Sequence, residues 1–143
     1  MLWVEGAAVS FGATRILREV TLAVGAGHRV ALVGRNGAGK TTTLRAIMGL
    51  VAATARRLEL DGTALGGVPA HRRTSLGIGY APEERKLFGP FTVLENILLP
   101  AQVLRLPQSE VARRLDRVYA VLPELRDLST RKAAGLSGGQ GKM

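Results

Sequence analysis

The segment Gly34-Arg35-Asn36-Gly37-Ala38-Gly39-Lys40-Thr41 matches the spacing G-x-x-x-x-G-K-[ST] at every required position. Glycines so placed let the backbone curl until successive N–H groups point inward, which is the geometry that phosphate oxygens need. Lys40 offers a point charge to β- and γ-phosphates, and the Thr41 hydroxyl is of the kind that ligates Mg²⁺. A second glycine-rich segment, Leu136-Ser137-Gly138-Gly139-Gln140, lies far downstream. Its serine suits a helix N-cap, and its two glycines permit close approach of an anion to a helix N-terminus. Ser-Gly-Gly equally describes an ordinary loop or helix start.

The elements around these segments decide what they can do. Leu2–Val9 and Ile16–Val24 read as strands, with Phe11-Gly12 as turn chemistry between them. Trp3, inside the first of these, reads as core. Val30-Ala31-Leu32-Val33 is short and continuously apolar, the pattern of a parallel strand buried on both faces. After the glycine loop, Lys40 to Leu50 meets no breaker until Gly49, and Leu44, Ile47 and Met48 make an apolar face. Strand, glycine loop and helix is the context that a phosphate-cradling loop requires.

Further along, Arg57–Leu60 alternates and ends in the hairpin signal Asp61-Gly62. Pro69 to Ser75 predicts a short helix, and Ile78–Ala81 a strand closed by Pro82. The character then turns from β to α. Thr92-x-x-Glu95 is a capping box, and the helix it opens should end near Pro100 or slightly beyond. Ser109 predicts the N-cap of another helix. There Val111, Leu115, Val118 and Leu122 share one face, Arg113, Arg114 and Arg117 point away, and Pro123 ends or kinks the helix.

The 143 residues amount to one domain's worth of chain, 46% hydrophobic and 22% charged, with no low-complexity tract. The absence of cysteine excludes disulfides and thiolate metal sites. Met1–Glu5 lacks the basic start and apolar run of a signal peptide. The most apolar stretch, residues 93–106, is broken by Glu95, Asn96, Pro100 and Arg105, which excludes a membrane-spanning helix there. A net charge of +9 raises nucleic acid as a partner. The basic residues are scattered singly and in pairs, however, and aromatics are too few for a base-stacking platform, which favours a solvated Arg-rich surface.

Four stretches together give the chain a specific resemblance. They are Gly34–Thr43 with Leu44-Arg45-Ala46-Ile47, then Gly77-Ile78-Gly79-Tyr80-Ala81-Pro82-Glu83, then Leu87-Phe88 leading to Phe91–Asn96, and Leu136–Gln140. The chain resembles the first half of an ATP-binding-cassette (ABC) transporter ATPase, and the ATP-binding subunits of branched-chain amino acid importers most of all. The resemblance implies an α/β P-loop fold. A β-rich core at about residues 1–82 would precede a helical insert at about 83–135 and a signature segment at 136–143.

It further implies ATP and Mg²⁺ as cofactors. The nucleotide contacts would fall on Phe11, Gly34, Asn36, Gly37, Ala38, Gly39, Lys40, Thr41 and Thr42. Ser137, Gly138, Gly139 and Gln140 would hold the nucleotide of a second ATPase subunit in a head-to-tail dimer. Thr41 and Glu83 would attend the metal, with Glu83 where the family carries a Gln or Glu that senses Mg²⁺. Phe11 matches the adenine-stacking aromatic, although a core phenylalanine beside a turn is the other reading. Leu87, Phe88, Pro90 and Phe91 fall near the family's docking groove for transmembrane permease subunits, or else simply cap the helical insert. The implied location is the cytoplasmic face of the membrane, through the permease.

The family's run of four apolar residues followed by Asp-Glu does not occur after Gln140, and neither His28 nor His71 stands where the γ-phosphate-sensing histidine would. Residues 1–143 alone are therefore expected to be a poor ATPase and a marginal fold, with an exposed apolar flank at Val30–Val33. A non-transport ABC protein acting on nucleic acid or ribosomes, and a fragment that binds nucleotide weakly, are the alternatives.

Overall fold

The computed structural model describes residues 1–84 and 86–143. The chain divides into two compact units, Met1–Tyr80 and Ala81–Met143, taken here one at a time.

The first unit is built on a four-stranded antiparallel sheet. Strands β1 (Leu2–Phe11), β2 (Thr14–Val24), β3 (Arg57–Leu60) and β4 (Thr63–Ala64) lie in the order β2-β1-β3-β4. β1 and β3 are the inner strands, and β1 pairs Leu2 with Val24 and Phe11 with Thr14 on one side, and Leu2 with Leu60 on the other. Its ladder shifts register between Val4 and Ala7, so both residues face the core despite their odd spacing. The turn Asp61-Gly62 joins β3 to β4 as its residue types predict.

Helix α1 (Lys40–Ile47) lies on this sheet. Ile47 packs with Val4 and Ala7, and Ala46 packs with Val9 and Leu17. Thr43, Ala46 and Ile47 are the buried residues of the helix, whereas Leu44 is 45% exposed. The core stripe thus runs along positions i, i+3 and i+4 from Thr43, which turns Leu44 away from the sheet. The helix begins at Gly39, whose φ of 91° is costly for any residue with a Cβ. A Cβ there would also come within 2.4 Å of Leu17 Cδ2. Short helix α2 (Ala70–Arg73) and a 3₁₀ turn at Thr74–Leu76 follow, as expected for the 69–75 segment.

Three expectations fail in this unit. Val30–Val33 forms no strand, and Val30, Leu32 and Val33 are 52%, 37% and 90% exposed. An apolar run is buried as a strand only where neighbours complete its ladders, and among the described residues none pairs with it. Ile78–Ala81 is likewise outside any sheet, for the same reason. Trp3 is not core. It sits on the outward face of β1 with the Arg57 guanidinium 5.0 Å above its ring, where a cation–π contact replaces burial.

The second unit is helical: α3 (Val93–Val103), α4 (Gln108–Val121) and α5 (Glu124–Asp127). All four orphan N–H groups at the start of α3 are satisfied. Val93 and Leu94 donate to the Arg131 and Ser129 carbonyls at 2.9 and 3.0 Å, and Asn96 N donates to Thr92 O at 3.0 Å. The capping box closes as the sequence predicts, with Glu95 N on Thr92 Oγ1 at 3.2 Å and Thr92 N on a Glu95 carboxylate oxygen at 2.7 Å. α3 accommodates Pro100 and ends at Val103. α4 starts after Pro107, not at Ser109. The Pro107 carbonyl accepts from Glu110 N and Val111 N at 3.0 Å, and proline's fixed φ is already suited to a helix start. The face expected of α4 is present, with Arg113, Arg114 and Arg117 exposed and Val111, Leu115, Val118 and Leu122 half-buried.

Two stability predictions follow from these contacts. Gly39→Ala should lower the unfolding free energy by about 1–3 kcal/mol through backbone strain, read as a lower urea midpoint at unchanged m-value.

The second concerns acid. Hydrogen bonds from the Thr92 backbone N–H and then its hydroxyl hold the Glu95 carboxyl below its ordinary 4.5. A carboxyl with a depressed folded-state pKa binds more protons when unfolded as pH falls. Its contribution is therefore complete above pH 4.5 and is lost as pH drops through the folded-state value. Glu95→Ala should melt lower than wild type at pH 7, and the gap should narrow steadily below pH 4.5 in thermal scans.

Candidate phosphate-binding site

The glycine loop of the first unit turns on a hydrogen bond from Ala38 N to Arg35 O at 3.1 Å and enters α1 at Gly39. Gly39 offers no side-chain cap, and the first turn of α1 carries no acidic residue. The positive end of the helix dipole is thus left uncompensated by side chains, the electrostatic setting that favours an anion. Thr43 ties the first turn to the loop, with its Oγ1 donating to Gly39 O at 3.0 Å.

Lys40 curls back across the loop. Its Nζ donates to the carbonyls of Gly34 at 2.7 Å and Arg35 at 2.9 Å, which places the ammonium over the backbone it must serve. Gly34, Asn36, Gly37, Ala38 and Thr41 are exposed, Lys40 and Thr42 half-buried, and Gly39 buried. The loop therefore offers solvent-facing backbone, one ammonium and the Thr41 hydroxyl on a support fixed by the sheet. Phe11, at the end of β1 in the same unit, is 54% exposed, so it is not a core phenylalanine.

The Ser137–Gln140 segment and Glu83 lie in the second unit. Ser137 caps as its residue type predicts, and Gln140 makes the cap reciprocal, a return bond that the sequence reading missed. Ser137 N donates to Gln140 Oε1 at 3.0 Å, and Gln140 N donates to Ser137 Oγ at 3.3 Å. The S-x-x-Q spacing was the available signal. One 3₁₀ turn, Gln140–Lys142, follows this cap. Ser137, Gly138 and Gly139 are exposed, as is Glu83.

Asn96 was missed as well. Its side chain pairs with the Phe88 backbone, accepting from Phe88 N at 2.8 Å and donating to Phe88 O at 3.1 Å. That pairing presents Phe88 and Phe91 stacked with centroids 5.5 Å apart, and both, with Leu87, are substantially exposed. An amide four residues into a capped helix has no local signature that would reveal such a pairing. Among the described residues no cluster of three or more His, Asp or Glu could hold a metal by itself. No helix among the described residues is long and apolar enough to cross a membrane.

Comparison with known proteins agrees with this geometry. A protein-family profile described as "ABC transporter" matches residues 17–143. A probable ABC transporter ATP-binding protein of Azorhizobium caulinodans is 41% identical over 137 residues, 94% of this chain and 48% of that protein. The probable branched-chain amino acid transport ATP-binding protein LivF of Archaeoglobus fulgidus is 38% identical, over 90% of this chain and 53% of its own length. The lipopolysaccharide export system ATP-binding protein LptB of Haemophilus influenzae is 33% identical, over 98% and 58%. A solved ATP-binding subunit of an ABC transporter superposes with a TM-score of 0.87 at 30% identity, covering 99% of this chain and 58% of that one. The chain spans about half the length of the curated relatives it matches. With the family profile covering most of the chain and the fold shared, this protein belongs to the ABC transporter ATP-binding family.

Proposed function

We propose that this chain is the nucleotide-binding part of an ABC importer ATPase, which couples MgATP binding and hydrolysis to uptake of branched-chain amino acids. The observation that carries the nucleotide role is Lys40, whose ammonium is folded over a glycine loop at the uncompensated N-terminus of α1. Two of its three donors rest on the carbonyls of Gly34 and Arg35, so it is held in place before any phosphate contact is made. Backbone N–H groups of Gly37 and Gly39 cradle the β-phosphate in this reading, joined by that of Ala38 once it leaves the Arg35 carbonyl, Thr42 closes the cradle, and Phe11 stacks on the adenine.

Mg²⁺ suits this site because it keeps most of its waters and takes few protein ligands beside phosphate oxygens. In this reading the Thr41 hydroxyl would hold the ion, and the sensing role that the family resemblance gives to Glu83 stays with that exposed carboxylate of the second unit. When bound, the ion neutralises charge on the β- and γ-phosphates. Ser137, Gly138, Gly139 and Gln140 present a second anion-facing segment to the nucleotide of a partner ATPase subunit. The stacked Phe88 and Phe91, with Leu87 and Pro90, supply an apolar platform for the permease. The protein then works at the cytoplasmic face of the membrane.

The amino acid substrate rests on the LivF relative and on the four stretches that carry the family resemblance. Similarity to LptB, named for lipopolysaccharide export, supports a second cargo class. Labelled-leucine uptake in cells lacking the gene separates them: restored uptake on complementation supports the import reading, and unchanged uptake removes it.

Three outcomes are expected in vitro. A charge-assisted contact to phosphate is worth about 1.5–3 kcal/mol, so Lys40→Ala should weaken ATP binding at least about tenfold in a titration with labelled ATP. Unchanged affinity would refute the assignment of this loop. Phe11→Ala should cost about 1–3 kcal/mol of nucleotide affinity while Phe11→Tyr retains it; equal affinities for all three proteins would remove the stacking role. Residues 1–143 contain no apolar run ending in Asp-Glu to orient the attacking water. By themselves they should show no steady-state turnover of MgATP, and cassette-like rates in a phosphate-release assay would overturn that.

A further inference from the structure

Arg73 is the only charged residue with a buried side chain among the described residues, at 4% exposure. Its guanidinium donates to four backbone carbonyls. Nε reaches Val68 O at 2.9 Å and one terminal nitrogen reaches Leu65 O at 2.7 Å. The other terminal nitrogen donates to Ala46 O at 3.2 Å and to Ile47 O. Ala46 and Ile47 are in the last turn of α1, where the negative end of the helix dipole favours a cation; the Ala46 carbonyl also accepts from Gly49 N at 3.0 Å, so Arg73 takes up its remaining acceptor capacity. Burial lowers the guanidinium pKa, a shift that leaves an arginine charged at physiological pH.

The chain is shaped around this contact. Gly49, just past the end of α1, has φ +69°, and a Cβ there would stand 2.8 Å from the guanidinium carbon. Beside it runs an open cleft of about 490 Å³ lined by Ala46, Gly49, Val51, Leu58, Val68 and Arg73. The end of α1 therefore has room to move wherever nothing fixes it.

Apolar packing of Ala46 and Ile47 keeps α1 on the sheet, but such contacts are non-directional and do not set its position along its own axis. Directional hydrogen bonds do, and a planar guanidinium fork sets several at once. α1 has eight residues, about 12 Å at 1.5 Å per residue. A displacement at its last turn is delivered almost whole to Lys40 and Thr41 at its first.

We propose that Arg73 is a positioning residue for the phosphate loop, clamping the far end of α1 so that Lys40, Thr41 and the loop N–H groups stand where a nucleotide's phosphates are held. The proposal rests on the phosphate-binding reading of that loop. It assigns Arg73 no contact with nucleotide.

The test uses Arg73→Lys in the full chain, with Lys40→Ala in parallel. Lysine keeps the charge and loses the fork. The measurements are thermal melting, ATP affinity, adenosine affinity by competition, and the amide NMR signals of Gly37, Gly39 and Lys40 without nucleotide. The expected result is a retained cooperative melt, ATP affinity about tenfold weaker as for a lost charge-assisted bond, unchanged adenosine affinity, and shifted loop amides. Unshifted amides with ATP affinity intact would overturn the proposal. Equal loss for ATP and adenosine would overturn it, because the effect would then be general. Loss of the cooperative melt would overturn it also, since Arg73 would be supporting the unit as a whole. Unchanged ATP affinity in Lys40→Ala would instead remove the phosphate-loop reading, while the amide shifts still decide whether Arg73 positions the loop.

Discussion

The contact between Gly39 and Leu17 is the constraint on which the first unit depends. Leu17 is 2% exposed and belongs to the same core cluster as Val9 and Ala46. The helix that carries Lys40 can reach that core only if the residue at its start has no side chain and adopts a left-handed φ. Core packing and loop shape are thereby the same requirement. The solvent-facing backbone of the glycine loop is held from behind by a leucine of the sheet, and full burial of such a side chain is worth about 1.5–3 kcal/mol.

The second unit repeats one device at two strengths. Thr92 with Glu95, and Ser137 with Gln140, are both reciprocal caps. The first is supported by the carbonyls of Ser129 and Arg131, by the bridge between Thr92 and Lys132, and by eleven residues of helix. The second is followed by a single 3₁₀ turn. Helix propagation adds a hydrogen bond for each residue fixed, so a cap with little helix behind it gains little from cooperativity.

Local chemistry was legible in the sequence, and partnership was not. The hairpin turn at Asp61-Gly62, the capping box at Thr92 and the α4 face are set by residues near one another in sequence, and all stand as read, as does a helix from Lys40 after the glycine loop. Val30–Val33 and Ile78–Ala81 have the composition of buried strands, but a strand exists only through neighbours that composition does not supply. Trp3 escaped for a related reason, since its partner Arg57 lies on another strand. Arg73 and Asn96 act on carbonyls and amides of distant or irregular segments, and arginine at the end of a short helix is indistinguishable in sequence from a solvated one.

Where the positive charge is engaged bears on what the surface recognises. Arg56 pairs with Glu5, Arg57 with Glu59, and Arg113 and Arg114 share Glu110, while Arg73 is buried on carbonyls. These arginines are engaged within the fold before they can serve any anionic polymer. Backbone N–H groups distinguish phosphate and little else, so a loop of this kind would carry no information on cargo, in keeping with similarity to relatives named for different cargos. The second unit offers a surface of another kind, the exposed apolar Leu87 with the stacked Phe88 and Phe91, held in place by Asn96.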